Sequence, residues 1–326
     1  MILILSQRCE LNVNQVCDVL DHYGAPWFRL NGEDFPSRTR VHIDLSSNPH
    51  SGVVTNDQGR ELTLSSVRAV WARRHGEREL SDGLTPGQKH FITKECSYTL
   101  LGLYSLLGHA CWMNDYFHEN RAVNKLHQLA VARSCGLEIP TTIVTQDENA
   151  ARRFYSEFDG AVLCKNISQS GHIPHDENRS GRVIYANCVE SDAASEFERV
   201  RCAPTLLQNY VEKEYELRVT IVGTRVFAAA IDSQRSQRSK VDWRRYDIDN
   251  TPYYPYRLPE PLEHALLLLM RKLALEYGAV DVIRGKDGRY IFLEVNPGGQ
   301  WGWVENMTGH PITEAIARWL ITRSAA

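Results

Sequence analysis

Residues 279–298, AVDVIRGKDGRYIFLEVNPG, decide the fold. Val280, Val282 and Ile283 mark a short apolar strand, and Asp287-Gly288 is a turn dipeptide. Ile291, Leu293 and Val295 alternate with Phe292, Glu294 and Asn296, so the pattern predicts a second strand and a hairpin. A side-chain period of two puts Glu294 and Asn296 on one face. With Asp281 aimed the same way, two carboxylates and one amide oxygen converge. Hard oxygen ligands in that number suit Mg²⁺ held between protein carboxylates and a substrate's phosphates. The competing reading of the same acids is solvated turn residues. Pro297-Gly298-Gly299 ends the strand at once and leaves room for a ligand.

Outward from this stretch, 326 residues suggest two or three sub-domains rather than one small core. A hydrophobic share of 43% and a charged share of 24% are those of a soluble globular chain. A net charge of −3 offers no general attraction to nucleic acid or to an anionic membrane. The eight cysteines form no CxxC and sit mostly in apolar runs, which predicts buried free thiols and a cytoplasmic setting. Met1–Leu5 is too short for a signal peptide and reads as a first strand. The uncharged run 96–114 holds serines, a threonine, a histidine and glycines, so it reads as a buried helix and not a membrane span.

Residues 1–75 read as α/β. A strand at 2–5 precedes a helix at about 12–23, and strands follow at 27–30, 41–45, 53–55, 61–64 and 67–71. The last ends in Arg73-Arg74, which suits a carboxylate or phosphate, or else is a solvated strand end. Thr85-Pro86 opens a long helix to about 108. A helix at 119–135 carries Lys125, and a strand at 161–164 delivers Lys165 to a polar loop, 166–181, with Gly171 and Gly181. Both lysines are candidates for a polyphosphate, Lys165 first, because a freely turning loop can lay N–H groups over phosphate oxygens. Alone, either lysine is also an ordinary exposed side chain. Neither GxGxxG nor a GxxxxGK P-loop is present. The segment 206–211 has the character of a hinge. Its Gln208, Tyr210 and Val211 can offer polar edges to a base, and Glu212 can take ribose hydroxyls. Glu216 and Arg218 share a strand face, where Arg218 can reach a phosphate or a developing oxyanion, or form a cross-strand ion pair. A helix at 261–277 carries Leu262, Leu266, Leu269, Leu273 and Tyr277 on one stripe, and a last helix runs from 311 to 320.

In this order the pieces resemble a known family. They are the Asn124-Lys125 helix ending in Gly136-Leu137 with Pro140-Thr141 beyond, the strand with Lys165, the hinge 208–212, Glu216-Leu217-Arg218, and Asp281 with Glu294-Val295-Asn296-Pro297. Over about 118–322 they look like an ATP-grasp carboxylate ligase. The resemblance implies an α/β and α+β fold in three units: an N-terminal α/β pre-grasp domain (1–115), a small lid sub-domain (116–204) and a C-terminal sub-domain with the metal site (205–326). It implies that Lys125 and Lys165 bind ATP phosphates, that Gln208, Tyr210, Val211, Glu212 and Glu216 hold the nucleotide, and that Arg218 and Lys165 serve catalysis. Asp281, Glu294 and Asn296 would hold Mg²⁺.

The C-terminal part, through Glu305-Asn306-Met307-Thr308-Gly309, is similar to ribosomal-protein glutamate ligases. Val70-Trp71-Ala72-Arg73-Arg74, Asp242-Trp243-Arg244 and Gly299-Gln300-Trp301-Gly302-Trp303 look more like the macrocyclases of microviridin-type peptides, the graspetides. That resemblance implies a ribosomal precursor peptide, leader plus acidic core, as partner. Its Asp or Glu side chains would be activated and closed by Thr, Ser or Lys into ω-ester or ω-amide rings. It also implies a homodimer, no nucleic acid and no membrane. Arg73, Arg74, Asp242, Trp243, Arg244, Trp301 and Trp303 become the substrate-contact candidates. Core packing is the other account of the two tryptophans. The basic segment 233–245 either favours an acidic peptide or is a solvated loop. Two rivals stay open: a ligase adding an amino acid to a peptide or protein carboxylate, and a nucleotide-binding subunit without turnover.

Overall fold

The structure is a computed structural model that describes residues 1–46, 51–74, 76–168, 186–245, 247 and 250–325, with the backbone of 172–173 and 182–183. Gly171 and Gly181 lie outside the described residues.

The chain opens with β1 (Ile2–Ser6), α1 (Leu11–His22), β2 (Trp27–Asn31), β3 (Arg40–His42), β4 (Val53–Thr55), β5 (Glu61–Thr63), β6 (Ala69–Ala72), α2 (Pro86–Leu106) and β7 (Cys111–Met113). β2-β1-β6-β7 form a parallel sheet, and β3-β4-β5 an antiparallel one. Alternation explains why both faces of the parallel sheet are dry. Ile2, Ile4, Ala69, Trp71 and Met113 face one core, while Leu3, Leu5, Val70 and Ala72 face another with α2. Thr85 and Gln88 form a capping box with Pro86 in the first turn, which fixes where α2 starts.

Next come α3 (Tyr116–Ala122), α4 (Lys125–Ser134), β8 (Thr142–Thr145), α5 (Glu148–Glu157), β9 (Val162–Lys165), β10 (His172–Ile173), β11 (Arg182–Val183), β12 (Asn187–Cys188), α6 (Ser191–Ser195) and β13 (Thr205–Asn209). Here β12-β9-β13-β8 make a small antiparallel sheet, packed on α5 through Ala151 and Phe154. The expectation of one helix at 119–135 fails. Asn124 takes an extended backbone and accepts the N–H of His127, which ends one helix and caps the next.

The remainder is β14 (Lys213–Val222), β15 (Arg225–Ile231), β16 (Tyr253–Tyr256), α7 (Glu260–Lys272), β17 (Tyr277–Gly285), β18 (Tyr290–Asn296), α8 (Gly302–Thr308) and α9 (Ile312–Ala325). The antiparallel sheet β16-β15-β14-β17-β18 buries one face against α4 and α7, through Leu217, Val219, Val280 and Val282 against Leu262, Leu266 and Leu269. The opposite alternation leaves Glu216, Arg218 and Asp281 off that core. Tyr277 is not on the α7 stripe: the helix stops at Lys272, Ala274 turns with φ 54°, and Tyr277 begins β17. α9 crosses the chain to pack with α1 on the first sheet. The cysteines are free, as expected, but burial is the exception: Cys17 and Cys96 are buried, while Cys9, Cys111, Cys188 and Cys202 are exposed. Among the described residues no helix is long and apolar enough to cross a membrane.

Trp301 is wholly buried, so it does not wall an open acceptor site. Its indole N–H donates to Thr313 Oγ1 at 3.0 Å, and its ring lies 5.8 Å from Tyr277 and 5.9 Å from Trp71. Trp301→Ala should therefore cost about 3–5 kcal/mol of stability. A thermal melt beside a substrate titration checks this. A variant of unchanged melting temperature with weakened substrate binding would return Trp301 to the site.

Candidate active site

The hairpin β17–β18 carries a bulge that strict alternation does not foresee. Asp281 pairs with Glu294, but Val282 pairs with Phe292, so Leu293 is the extra residue. The slip places Phe292 in the core with Val295 and leaves Glu294 on the opposite face. Without it, Phe292 would share the face of Glu294, as the alternation predicts. Arg218 on β14 sits directly across from Asp281 and donates from Nη1 to Asp281 Oδ1 at 2.9 Å. Asp281 and Glu294 are thus neighbours on a surface that also holds Arg218. Asn296 follows one alternation on, and its Oδ1 accepts the Gly298 N–H at 3.0 Å.

Cations converge on Glu294 from three elements. Lys125, at the start of α4, has Nζ 3.3 Å from Glu294 Oε2 and donates to Asn166 O at 3.0 Å. Arg244 donates to Glu294 Oε1 at 2.9 Å and grips Asp242 through Nε and Nη2, at 2.9 and 2.7 Å. Lys165, the last residue of β9, adds its field. Burial works to raise the Glu294 pKa, but these three cations outweigh it and hold the carboxyl below its ordinary value. Asp281 goes the other way: burial raises it despite Arg218. Burial also pulls Lys165 down to about 8, against the attraction of Glu294.

These groups, except Arg218 and Asn296, line one cleft between the small sheet and the C-terminal sheet. It is lined by Lys125, Lys165, Gln208, Tyr210, Val211 and Glu216 along with Asp242, Trp243, Arg244, Asp281 and Glu294. Its free volume is about 150 Å³, below the roughly 300–1,000 Å³ of small-molecule sites. The ion pairs of Glu294 lie across it. Gln208, buried on β13, donates to Thr142 Oγ1 at 2.9 Å, and its Oε1 has no donor among the described residues. A buried acceptor without a partner is costly, so an amino group or water belongs there. An oxygen pair, flanking cations and an orphaned acceptor fit a purine nucleotide and a divalent cation.

Not every expected residue arrives in this cleft. Glu212 is not among its lining residues: its carboxylate is exposed and meets Lys286 at 3.1 Å. Glu216 lines the cleft, but its carboxylate is taken by Lys213 Nζ and by Ser233 Oγ, and burial raises its pKa. Lys213 is a residue the sequence reading missed. It also donates to Val241 O at 3.0 Å, which ties the hinge to the loop that carries Asp242. Its Lys-x-x-Glu spacing with Glu216 was the available signal. Trp243 is buried beneath Arg218, whose guanidinium lies 5.7 Å from its ring. Half-buried Trp303 packs on Trp243 at 5.1 Å. In the 233–245 segment Arg235, Arg238 and Lys240 are exposed, while the other two basic residues turn inward. Arg244 points into the cleft, and Arg245 donates to Asn187 Oδ1 at 2.6 Å on the edge of the small sheet. Arg74 is exposed, whereas Arg73 is buried with its guanidinium 4.8 Å from the Trp301 ring. Arg73 is therefore an interior post, and burial lowers its pKa. Between Arg73 and Arg218 runs Gly299. A Cβ there would come within 2.7 Å of Arg218 and 2.4 Å of Ala279, so only glycine fits. Asn114 pins the first sheet to this corner, accepting from the Tyr277 N–H at 2.8 Å and donating to Tyr277 O at 2.9 Å.

Comparison with known proteins adds the following. The MvdD pre-ATP grasp domain family matches residues 1–120. No curated protein matches the chain. The crystal structure of macrocyclase MdnC bound with precursor peptide MdnA, from Microcystis aeruginosa MRC, is 30% identical with a TM-score of 0.86, covering 99% of this chain and 100% of that one. Macrocyclase MdnB of the same source is 30% identical with a TM-score of 0.80, covering 98% of each chain. A Chryseobacterium gregarium RiPP-associated ATP-grasp ligase, in complex with ADP and a leader and core peptide, is 26% identical with a TM-score of 0.90, covering 99% of this chain and 96% of that one.

Proposed function

The chain belongs to the ATP-grasp macrocyclase family of MdnC and MdnB, and from that premise we propose that it uses ATP to close side-chain rings in a ribosomally made precursor peptide. A carboxylate is a poor electrophile. Taking the γ-phosphoryl group of ATP makes it an acyl phosphate and releases ADP. A Thr or Ser hydroxyl, or a Lys amine, of the same peptide then attacks the acyl carbon and expels phosphate. An ω-ester or ω-amide results, with one proton lost from the nucleophile.

The chemistry needs charge neutralisation more than a protein nucleophile. That is what the cleft offers, and the observation that carries the reading is the half-buried carboxylate Glu294 encircled by Lys125, Lys165 and Arg244. In this reading the two lysines hold phosphates, and Gln208 with the Tyr210-Val211 backbone holds the base. Arg218 steadies negative charge at the transferring group. Asp281, Glu294 and Asn296 are the oxygens that would hold Mg²⁺, which when bound spreads the charge of the triphosphate. Residues 1–115 form the pre-grasp unit, 116–204 the lid and 205–326 the C-terminal unit. In the substrate-contact set Arg74 is exposed and Trp303 half-buried, while the half-exposed Arg244 and the buried Asp242 line the cleft itself. Nucleotide entry requires the bonds of Glu294 to Lys125 and Arg244 to part, which couples ATP binding to opening of the small sheet.

The test is to express the enzyme with the short reading frame rich in Thr and Asp/Glu nearest its gene, add ATP, and weigh the product. The expected result is ADP release only when precursor is present, and a mass lower by one water for each ring. A mass increase with a free amino acid would replace this reading by amino-acid ligation. A precursor whose core acids are changed to amides should stay linear.

A further inference from the structure

At the opposite end of β14 from the cleft lies a second concavity of about 920 Å³, lined by the β14–β15 turn and the last turns of α7 and α9. It shares no lining residue with the nucleotide cleft. Val222 is six residues beyond Glu216 along β14, so the two sites stand on the order of 20 Å apart. The floor is apolar, from Leu267, Met270 and Leu275 with Trp319.

The rim is basic. Arg225, Arg271 and Arg323 are exposed, and none has a carboxylate partner among the described residues. Arg318 is already taken by Glu314 at 2.6 Å, and the one acid in the lining, Glu276, accepts the Trp319 indole N–H at 3.1 Å. His264 faces Glu260 at 3.9 Å. A cation in a last helical turn is favourable by itself, which would account for Arg271 and Arg323 singly. It does not account for Arg225 on a hairpin turn, nor for three uncompensated guanidinium groups around one hollow on a chain of net charge −3.

We propose that this concavity is a peptide-docking site, and that its ligand is an acid-rich peptide segment with apolar side chains between its carboxylates. Two of the arginines are held apart on separate rings, Arg225 at 5.1 Å from Phe227 and Arg323 at 5.5 Å from Trp319. Heads pinned on different elements suit carboxylates spaced along a chain better than one compact phosphate, which needs donors aimed at one point. The apolar floor gives the intervening side chains somewhere to bury. That this peptide is the acidic portion of the enzyme's own precursor rests on the proposed function; the binding of an acidic peptide does not. A dock here would keep a long substrate attached while its acids visit the distant cleft in turn.

Fluorescence anisotropy of a labelled peptide of alternating Asp/Glu and Leu/Tyr tests the site. The full chain is compared with the triple variant Arg225→Glu, Arg271→Glu, Arg323→Glu. All three positions are exposed, so folding should be retained, and a thermal melt checks it. If it melts early, the Arg→Gln triple replaces it. The expected result is affinity lower by at least about tenfold in the variant, and wild-type binding that weakens with salt. Binding should persist in Lys165→Ala, whose cleft is impaired, and should vanish for the Asn/Gln version of the peptide. Equal affinity in wild type and triple variant overturns the proposal. So does full competition by inorganic pyrophosphate at equimolar peptide, which would mark a small-anion site. So too does a change of sedimentation with peptide affinity intact, which would mark a contact between copies of the chain. Intact peptide binding without any water-loss product would sink the macrocyclase reading and leave the dock standing.

Discussion

Glu294→Gln lowers precursor-dependent ADP release by at least about 100-fold. The substitution keeps the shape of the side chain and its place on β18 but removes the charge on which Lys125, Arg244 and Lys165 converge. Three cations then face one another around a neutral amide. A divalent cation shared with Asp281 would meet a neutral amide oxygen instead of a carboxylate, and burial already pushes Asp281's own carboxyl toward the neutral form. Two defects follow from one atom: the phosphates meet a misplaced set of cations, and the metal has a weaker seat. Glu294→Asp retains the charge on a shorter arm and should fall between. The measurement is ADP release across a Mg²⁺ series for the three enzymes, with ring formation followed by mass. A glutamine variant that turns over undiminished removes Glu294 from the site and takes the metal assignment with it.

How far this site could be read from sequence depends on the kind of signal. Asp281 and Glu294 were legible because the hairpin pattern and the Asp287-Gly288 turn fix which strand faces which, and the structure pairs the two residues. Arg218 was legible for the same reason: two-residue periodicity placed it with Glu216, and it sits across from Asp281. The bulge at Leu293 was not, because an extra residue leaves no mark in a run where every position has a plausible side. It is nonetheless what lets Phe292 be buried while Glu294 two positions on faces the cleft.

Misreadings arose where a residue's chemistry is visible but its surroundings are not. Arg73 and Trp301 have the composition of a binding surface, yet they stack together in the interior because α9 and the first sheet close over them. Asp242 and Arg244 look like part of an open basic loop. They turn inward, because Asp242 has the Ala186 N–H of the small sheet to accept at 3.3 Å and Arg244 has Glu294 to meet. Long-range pairings of this kind connect residues tens of positions apart, and no local period records them. Helix ends failed for a different reason. Asn124 is a good N-cap, but caps compete with helix continuation, and only packing decided for the cap.

Lys165→Ala lowers kcat/KM for ATP by at least about 100-fold, and the wild-type enzyme carries an alkaline limb in the same quantity near pH 8. The sign follows from what burial does to a lysine. Leaving water disfavours the ammonium, so its pKa drops from the ordinary 10.5 to about 8, with Glu294 supplying only partial compensation. Below that value the free enzyme meets ATP with a charged Lys165; as pH rises through it, the charge and its hydrogen bonds to phosphate are lost. The limb belongs to kcat/KM, which reports the free enzyme, and should be weaker in kcat, since bound triphosphate holds the proton on the lysine. Lys165→Arg separates charge from titration. A guanidinium stays protonated across this range, so that variant should keep a share of the activity while its limb disappears. A wild-type profile flat to pH 9.5 would remove the lowered Lys165 pKa, and an arginine variant with the limb intact would assign the titration to another group; an alanine variant of undiminished kcat/KM would leave Lys165 without a phosphate to hold.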